Sequence, residues 1–289
     1  LAPRNPVGKL FQNTNSGNTE RYLGNAKFDY KFGFLQGLNL VVNLGFDYSE
    51  GRGQFIVPAE SAQGFNDNGS VRNWTNLKRN TLADVYLNYV NTFNEKHKLD
   101  VMVGHSFQDF YREDTNVTQD GLGSPATGNL RSVSLNALES LFTRINYTFN
   151  DKYLVTATYR RDGSSRFAPE NRWANFFSGA LAWNISEEDF LKDSEAVSSL
   201  KLRLGFGQTG QQEIDKDFGY LPIYTPGDAG VRYPFGSDYH YTLRPEGYDK
   251  NIKWEESGTY NIGVDYGFMN DVLTGSIEYF RRESSDILS

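Results

Sequence analysis

The stretch FNDKYLVTATYRRDGSSRFAPENRWANFFSGALAWNIS, residues 149–186, decides the fold. It opens on a tight turn around Asn150 and Asp151. Tyr153, Val155, Ala157 and Tyr159 then stand against Thr156, Thr158 and Arg160. A polar segment, 161–172, interrupts, and Phe177, Leu181, Trp183 and Ile185 follow. Residues two apart share one face of a strand, so this stretch predicts two strands, each with an apolar, largely aromatic face and a wet face.

The same period of two recurs along the chain. It runs through Tyr22–Tyr30, Leu38–Tyr48, Val85–Tyr89, Leu99–Phe107, Leu141–Phe149, Leu200–Phe206, Tyr260–Phe268 and Leu273–Tyr279. Roughly ten strands result, most near the ~9–11 residues that cross a bilayer at a tilt. Asn43, Asp47, Asp84, Arg144, Arg160, Lys201, Arg203 and Asp265 fall on the wet faces. The connections alternate in length. Short ones fall at 32–37, 92–98, 149–152 and 269–271, with 186–199 in the same phase; long ones are expected over 49–78, 109–138, 161–172 and 208–257. Short turns at one end and long loops at the other are the rhythm of an outer-membrane barrel. Residues 1–18 read as the tail of a loop and the last strand, 271–282, runs toward another long loop. The chain is therefore expected to start and stop within a larger barrel.

Composition fits this reading. Of 289 residues 38% are hydrophobic and 15% aromatic, with 18 Tyr and 21 Phe. No run of 18 apolar residues marks a membrane helix, and a barrel that alternates lipid-facing with lumen-facing residues has low average hydropathy. A net charge of -7 speaks against nucleic acid, which needs a basic face. Cysteine is absent, which excludes disulfides and thiolate metal sites. The three histidines, His97, His105 and His240, are scattered, and no cofactor or metal is expected.

From Phe149 through "NRWANFFSGALAWNISEEDFLKD" the text resembles the SusC/RagA family of TonB-linked outer-membrane transporters. The likeness extends to "LKLRLGFGQTGQQEI" (200–214), "NIKWEESGTYNIGVDYGFMNDVLTGSIEYFRRESSDIL" (251–288) and "YLGNAKFDYKFGFLQGLNLVVNLGFDYSEGRG" (22–53). The resemblance implies an all-β, antiparallel transmembrane barrel of about 22 strands, with residues 1–289 forming part of that one domain. It implies an upstream plug carrying the TonB-contacting segment, and closing strands downstream. It further implies a SusD-like surface lipoprotein as partner, TonB-driven import of oligosaccharides or peptides, and the outer membrane of a Bacteroidetes-like host, with outer-membrane lipid around it.

Candidate ligand contacts lie in the long loops. The loop 208–257 holds Tyr220, Tyr224, Tyr233, Phe235, Tyr239, His240 and Tyr241 beside Asp215, Asp217, Asp228 and Asp238. Aromatic faces stack on sugar rings, and tyrosine adds a polar tip. The rings could equally pack the loop onto its neighbours. Loop 49–78, with Phe55, Phe65 and Trp74, is a second candidate. The ligand set expected here is Trp74, Tyr220, Tyr224, Tyr233, Tyr239, Tyr241, Asp228 and Asp238.

Three motifs have plainer readings. "RRDGSSRF" (160–167) would be either a carboxylate clamp or a loop stapled by an Asp162–Arg pair. "GFGQTGQQ" (205–212) lacks the Gly-Lys-Ser/Thr of a phosphate loop, and its glycines are expected at a strand end and a tight loop needing positive φ. Trp254 beside Glu255 and Glu256 reads as a membrane-interface Trp with loop charges, since neighbouring carboxylates on a strand face opposite ways. No nucleophile motif accompanies the histidines, so catalysis is not expected. The alternative is a soluble β-sandwich carbohydrate-binding module, which packs two sheets face to face.

Overall fold

The computed structural model describes residues 6–120, 130–214, 216–227 and 232–288. A short helix α1 (Pro6–Gln12) leads into eight long strands: β1 (Thr14–Lys31), β2 (Leu38–Val57), β3 (Ser70–Phe93), β4 (His97–Asp120), β5 (Leu130–Phe149), β6 (Tyr153–Ser164), β7 (Trp173–Asn184) and β8 (Val197–Gln211). Four short strands follow, β9 (Tyr224–Pro226), β10 (Arg232–Phe235), β11 (Asp238–Tyr241) and β12 (Leu243–Pro245), and then β13 (Glu255–Phe268) and β14 (Leu273–Ser285). The long strands form one sheet in the order β1-β2-β3-β4-β5-β6-β7-β8-β13-β14. Neighbours in sequence are neighbours in space, as in an up-and-down barrel wall.

The strands run further than their apolar alternation. Residues 70–78 and 109–120, read as loop, belong to β3 and β4, and Thr14 to Asn18, read as a loop tail, begin β1. Segments such as "RNWTNLKRNT" and "DFYREDTNVTQD" are polar on both faces. Where both faces meet water, pairing continues without leaving a period of two.

The short connections turn on residues that tolerate the left-handed region. Asn94 and Glu95, Asn150 and Asp151, and Met269 to Asp271 all have φ between 49° and 63°. Two successive positive φ values match the right-handed twist of the flanking strands. At 32–37 the turn uses Gly37, φ 90°, whose carbonyl accepts from Val90 N at 2.9 Å.

The contacts divide the chain into two compact units. The first comprises Leu1–Lys27, Asn43–Ala83 and Gln108–Asn136, the second Phe28–Val42, Asp84–Phe107 and Ala137–Ser289. In the first unit Arg21 grips Asp47 through Nε and Nη2, both at 2.8 Å, and Asn25 donates to Asn43 at 2.7 Å. Arg131 pairs with Glu113 at 2.7 Å. Trp74 is half-buried on β3 and covers glycine backbone; a Cβ on Gly17 would sit 2.6 Å from its Cζ2, and Gly51 and Gly53 lie under the same ring.

In the second unit the register aligns the apolar residues in rows. Tyr147, Val155, Leu181, Leu204, Ile262 and Tyr279 are successive cross-strand partners from β5 to β14. Directly opposed side chains are the unit of sheet stabilisation. Trp183 and Trp173 mark the two ends of this face on β7. At ~3.4 Å per residue and a ~40° tilt, ten residues span roughly 25 Å, the height of an outer-membrane barrel's apolar band. Arg161 stacks 5.2 Å above Trp173 at the long-loop end. At the short-turn end Phe149, Tyr153 and Trp183 stack at 6.3 and 6.4 Å.

The opposite face is polar and bonded to itself. Arg203 and Asp265 form a two-pronged pair at 2.8 and 2.9 Å, Asn261 donates to Glu278 at 2.9 Å, and Thr156 donates to Asn146 at 2.9 Å. Gly205, Gly207 and Gly210 lie inside β8, and positive φ among described glycines is confined to Gly37, Gly69 and Gly236. This corrects the expectation of a tight loop at "GFGQTGQQ". The need is for space: a Cβ on Gly205 would strike the Asn261 side chain, and one on Gly210 the Phe176 ring.

Candidate functional site

The 212–254 connection between β8 and β13 is built in two parts, a buried foot and an exposed arm. The foot gathers Phe167, Ala174, Phe176 and Trp254 into a buried cluster. Trp254 is 5% exposed, its ring centroid 5.5 Å from Phe167 and 5.7 Å from Phe176. Its indole N–H donates to the Arg172 carbonyl at 2.8 Å. The interface-Trp expectation is thereby corrected: Trp254 is a core residue, placed by contacts 82 residues away in sequence. Ser164 Oγ donates to Gln212 at 2.9 Å, and Arg166 lies 3.6 Å from Asp217. Arg160 Nε reaches Asp162 at 2.6 Å. The "RRDGSSRF" arginines are thus engaged within the protein, by Asp162, the Trp173 ring and Asp217; Arg160 and Asp162 pair along strand β6 and not across a loop, which corrects the expected Asp162 staple, and it is Arg166 that reaches over to Asp217.

From the foot the chain rises as a hairpin. Asp249 N donates to Gly219 O at 3.0 Å and Glu246 N to Ile223 O at 2.8 Å. β9 pairs with β12 and β10 with β11, both antiparallel. Gly236, φ 65°, makes the tip turn. Thr225 and Arg244 both donate to Glu246 and hold its carboxyl below the usual range, the Thr225 bond contributing most.

This arm carries most of the expected ligand residues. Tyr224, Tyr233 and Tyr239 are 60%, 61% and 67% exposed, and Asp238 is exposed at the tip. Tyr220 sits lower, half-buried beside Phe218 with ring centroids 6.4 Å apart. Tyr241 occupies β11 opposite Arg232. Asp228, like Asp215, lies outside the described residues. The register splits the tyrosines. Tyr233 opposes His240 and Phe235 opposes Asp238, which puts those four on one face; Tyr239 opposes Pro234 on the other. Phe235 contacts Tyr233 at 6.2 Å and His240 at 6.1 Å. Phe235 and His240 therefore complete a patch with Tyr233, which alternation along two strands of known register would have found. Trp74 belongs to the first unit and packs on its glycines there. Among the described residues, no three His, Asp or Glu side chains gather as a metal site.

A long antiparallel sheet in one meander, apolar and aromatic-edged on one face and hydrogen-bonded on the other, defines the wall of a transmembrane β-barrel. A sandwich would need two packed sheets, and the long strands follow one continuous order. The description "TonB dependent receptor-like, beta-barrel" matches residues 2–289, and the chain belongs to that family, whose barrels are outer-membrane proteins. It is 40% identical to TonB-dependent receptor SusC of Bacteroides thetaiotaomicron, over 100% of this chain and 29% of SusC. TonB-dependent receptor P39 of Formosa agariphila is 31% identical over 94% of this chain and 27% of its own length. The structure of the RagAB peptide transporter superposes with a TM-score of 0.83 at 22% identity, covering 96% of this chain and 31% of that one. The chain spans less than a third of each.

Proposed function

We propose that this chain is part of the barrel of an outer-membrane, TonB-dependent importer of oligosaccharides or peptides, working with a SusD-like surface lipoprotein and catalysing no bond chemistry. The observation that carries this reading is the 40% identity to SusC across the whole chain. In this reading the plug, its TonB-contacting segment and the remaining strands belong to the length this chain does not span. The short turns face the periplasm and the arm stands on the cell surface. The polar face lines the lumen, where its paired charges give a passing solute a wet wall without a fixed net charge. The patch of Tyr233, Phe235, Asp238 and His240 meets the substrate or the lipoprotein, with Tyr220, Tyr224, Tyr239, Tyr241 and Asp228 on the same arm and Trp74 as a separate contact.

Aromatic rings supply large contact area at low conformational-entropy cost, which suits a surface that samples partners from water. The test is extraction of the full-length protein from outer membranes in mild detergent, followed by mass spectrometry. A stoichiometric lipoprotein with a retained oligosaccharide or peptide is expected. A folded protein found alone in the soluble fraction would overturn the reading.

A further inference from the structure

Trp74 is set into the sheet of the first unit on a bed of glycines. Gly51 and Gly53 lie on β2 and Gly17 on β1. A Cβ on Gly53 would come 2.4 Å from Cζ2 of the ring, one on Gly17 2.6 Å from the same atom, and one on Gly51 3.3 Å from Cζ3. Side chains at 17 and 53 would strike the ring, so the indole rests directly on the backbone of two strands. A ring sunk in this way turns one π-face to the sheet and the other away from it.

The bed shares its face of β2 with Asp47, since residues two apart point the same way. That is the polar face. The bed also lies beyond Tyr48, where the apolar row of β2 ends. Trp74 therefore stands toward the long-loop end, past the apolar row and on the polar side.

Its surroundings are polar and ordered. Asn76, two residues along β3 on the same face, donates through Nδ2 to one oxygen of Asp114; Arg112 Nε donates to the other at 2.7 Å. Arg72, two residues the other way, lies 5.4 Å from the centre of the Phe55 ring. The indole N–H groups of Trp254 and Trp183 are bonded to Arg172 and Glu188. That of Trp74 has no partner among the described residues.

A ring that only covers a bare glycine needs one beneath it. Three glycines on two strands, with a linked amide, carboxylate and guanidinium beside the ring, make a stacking platform with a hydrogen-bonding rim. We propose that Trp74 holds a pyranose ring of a neutral oligosaccharide at the mouth of the barrel. The proposal rests on the importer reading above and selects between its two substrate classes.

The flat C–H face of the sugar packs on the indole. Its hydroxyls donate to Asn76 Oδ1 and Asp114, and accept from the indole N–H and from the donors that Arg112 keeps beyond Nε. A peptide is served less well. Strand addition needs an open sheet edge, and β3 is paired on both sides, by β2 and β4. Capture of a peptide carboxylate needs a free cation, and Arg72 and Arg112 are engaged by Phe55 and Asp114.

The test uses the full-length protein in detergent, screened against an array of neutral oligosaccharides of varied linkage and a library of peptides of similar mass. At least one oligosaccharide is expected to bind and to change the indole fluorescence. W74A should weaken it about tenfold, the upper end for an aromatic contact. W74F keeps a ring on the glycine bed with less area and no N–H. It should melt with the unaltered protein and still lose affinity about threefold, as should N76A, which removes one neutral hydrogen bond. Oligosaccharide affinity that W74F leaves unchanged, or binding of peptides and of no oligosaccharide, would overturn the platform and leave the importer reading standing. Binding of neither class would overturn both.

Discussion

The two ends of the second unit are held by opposite means. At the short-turn end the chain reverses within a few residues, and Glu188 ties the girdle to the turn. It accepts from Tyr153 OH at 2.6 Å, Trp183 Nε1 at 3.0 Å and Lys152 Nζ at 3.0 Å. At the long-loop end one connection is clamped at its foot and bare along its arm. Phe167 is fully buried and Phe235, on the same end of the same unit, is 71% exposed. Short polar ties leave no room for variation, whereas a buried foot lets an arm of any composition be mounted on a fixed wall. The recognition proposed for the arm would then be separable from the integrity of the wall.

The largest test of that separation is Trp254→Ala. Removing a buried Trp costs about 3–5 kcal/mol, and here the loss falls on the seating of the connection. Hydrogen exchange should rise across 212–254 and in the 164–172 loop, with little change in the paired core of β6, β7 and β8. Uniform loosening of the sheet would show that foot and wall are one cooperative unit, and the contrast drawn above would fail.

A smaller effect is expected at the tip. Tyr233→Ala combined with Phe235→Ala removes two exposed rings, so melting should not move. Binding of lipoprotein or substrate should weaken by about 2 kcal/mol, the scale of an aromatic hot spot. Tyr239→Ala, on the other face of the hairpin, should cost less. Equal losses from both faces would mean that the partner encloses the arm.

How much of this was legible in the sequence follows from where two faces differ. Between Trp173 and Trp183 one face meets apolar surroundings, so β7 shows its period of two. In the outer reaches of β3 and β4 polar residues fall on both faces, and no such signal appears. The foot is illegible for another reason. Trp254 finds Phe167, Phe176 and the Arg172 carbonyl across long sequence separations, and no local pattern encodes a partner 82 residues away. The arm's tyrosines were countable, but only the β10–β11 register sorts Tyr233 from Tyr239. The glycines of β8 were visible too; their reason, the Asn261 and Phe176 side chains beside them, sits on other strands.

The smallest effect probes the short-turn end. Hydrogen bonds from Tyr153, Lys152 and Trp183 hold the Glu188 carboxyl down at about 2, against an ordinary 4.5. A carboxylate whose native pKa is depressed stabilises the fold fully above its unfolded pKa. That contribution drains away as pH falls from 4.5 toward 2. Glu188→Gln keeps an oxygen to accept from Tyr153 but loses the charge that Lys152 and the two ring donors favour. Thermal melting of the variant should therefore run at a constant small deficit above pH 4.5, and the two curves should converge near pH 2. A deficit that persists unchanged at pH 2 would place the role of Glu188 in shape and not in charge. The short-turn end would then be held by packing, as the foot of the arm is, and the two ends would differ only in length.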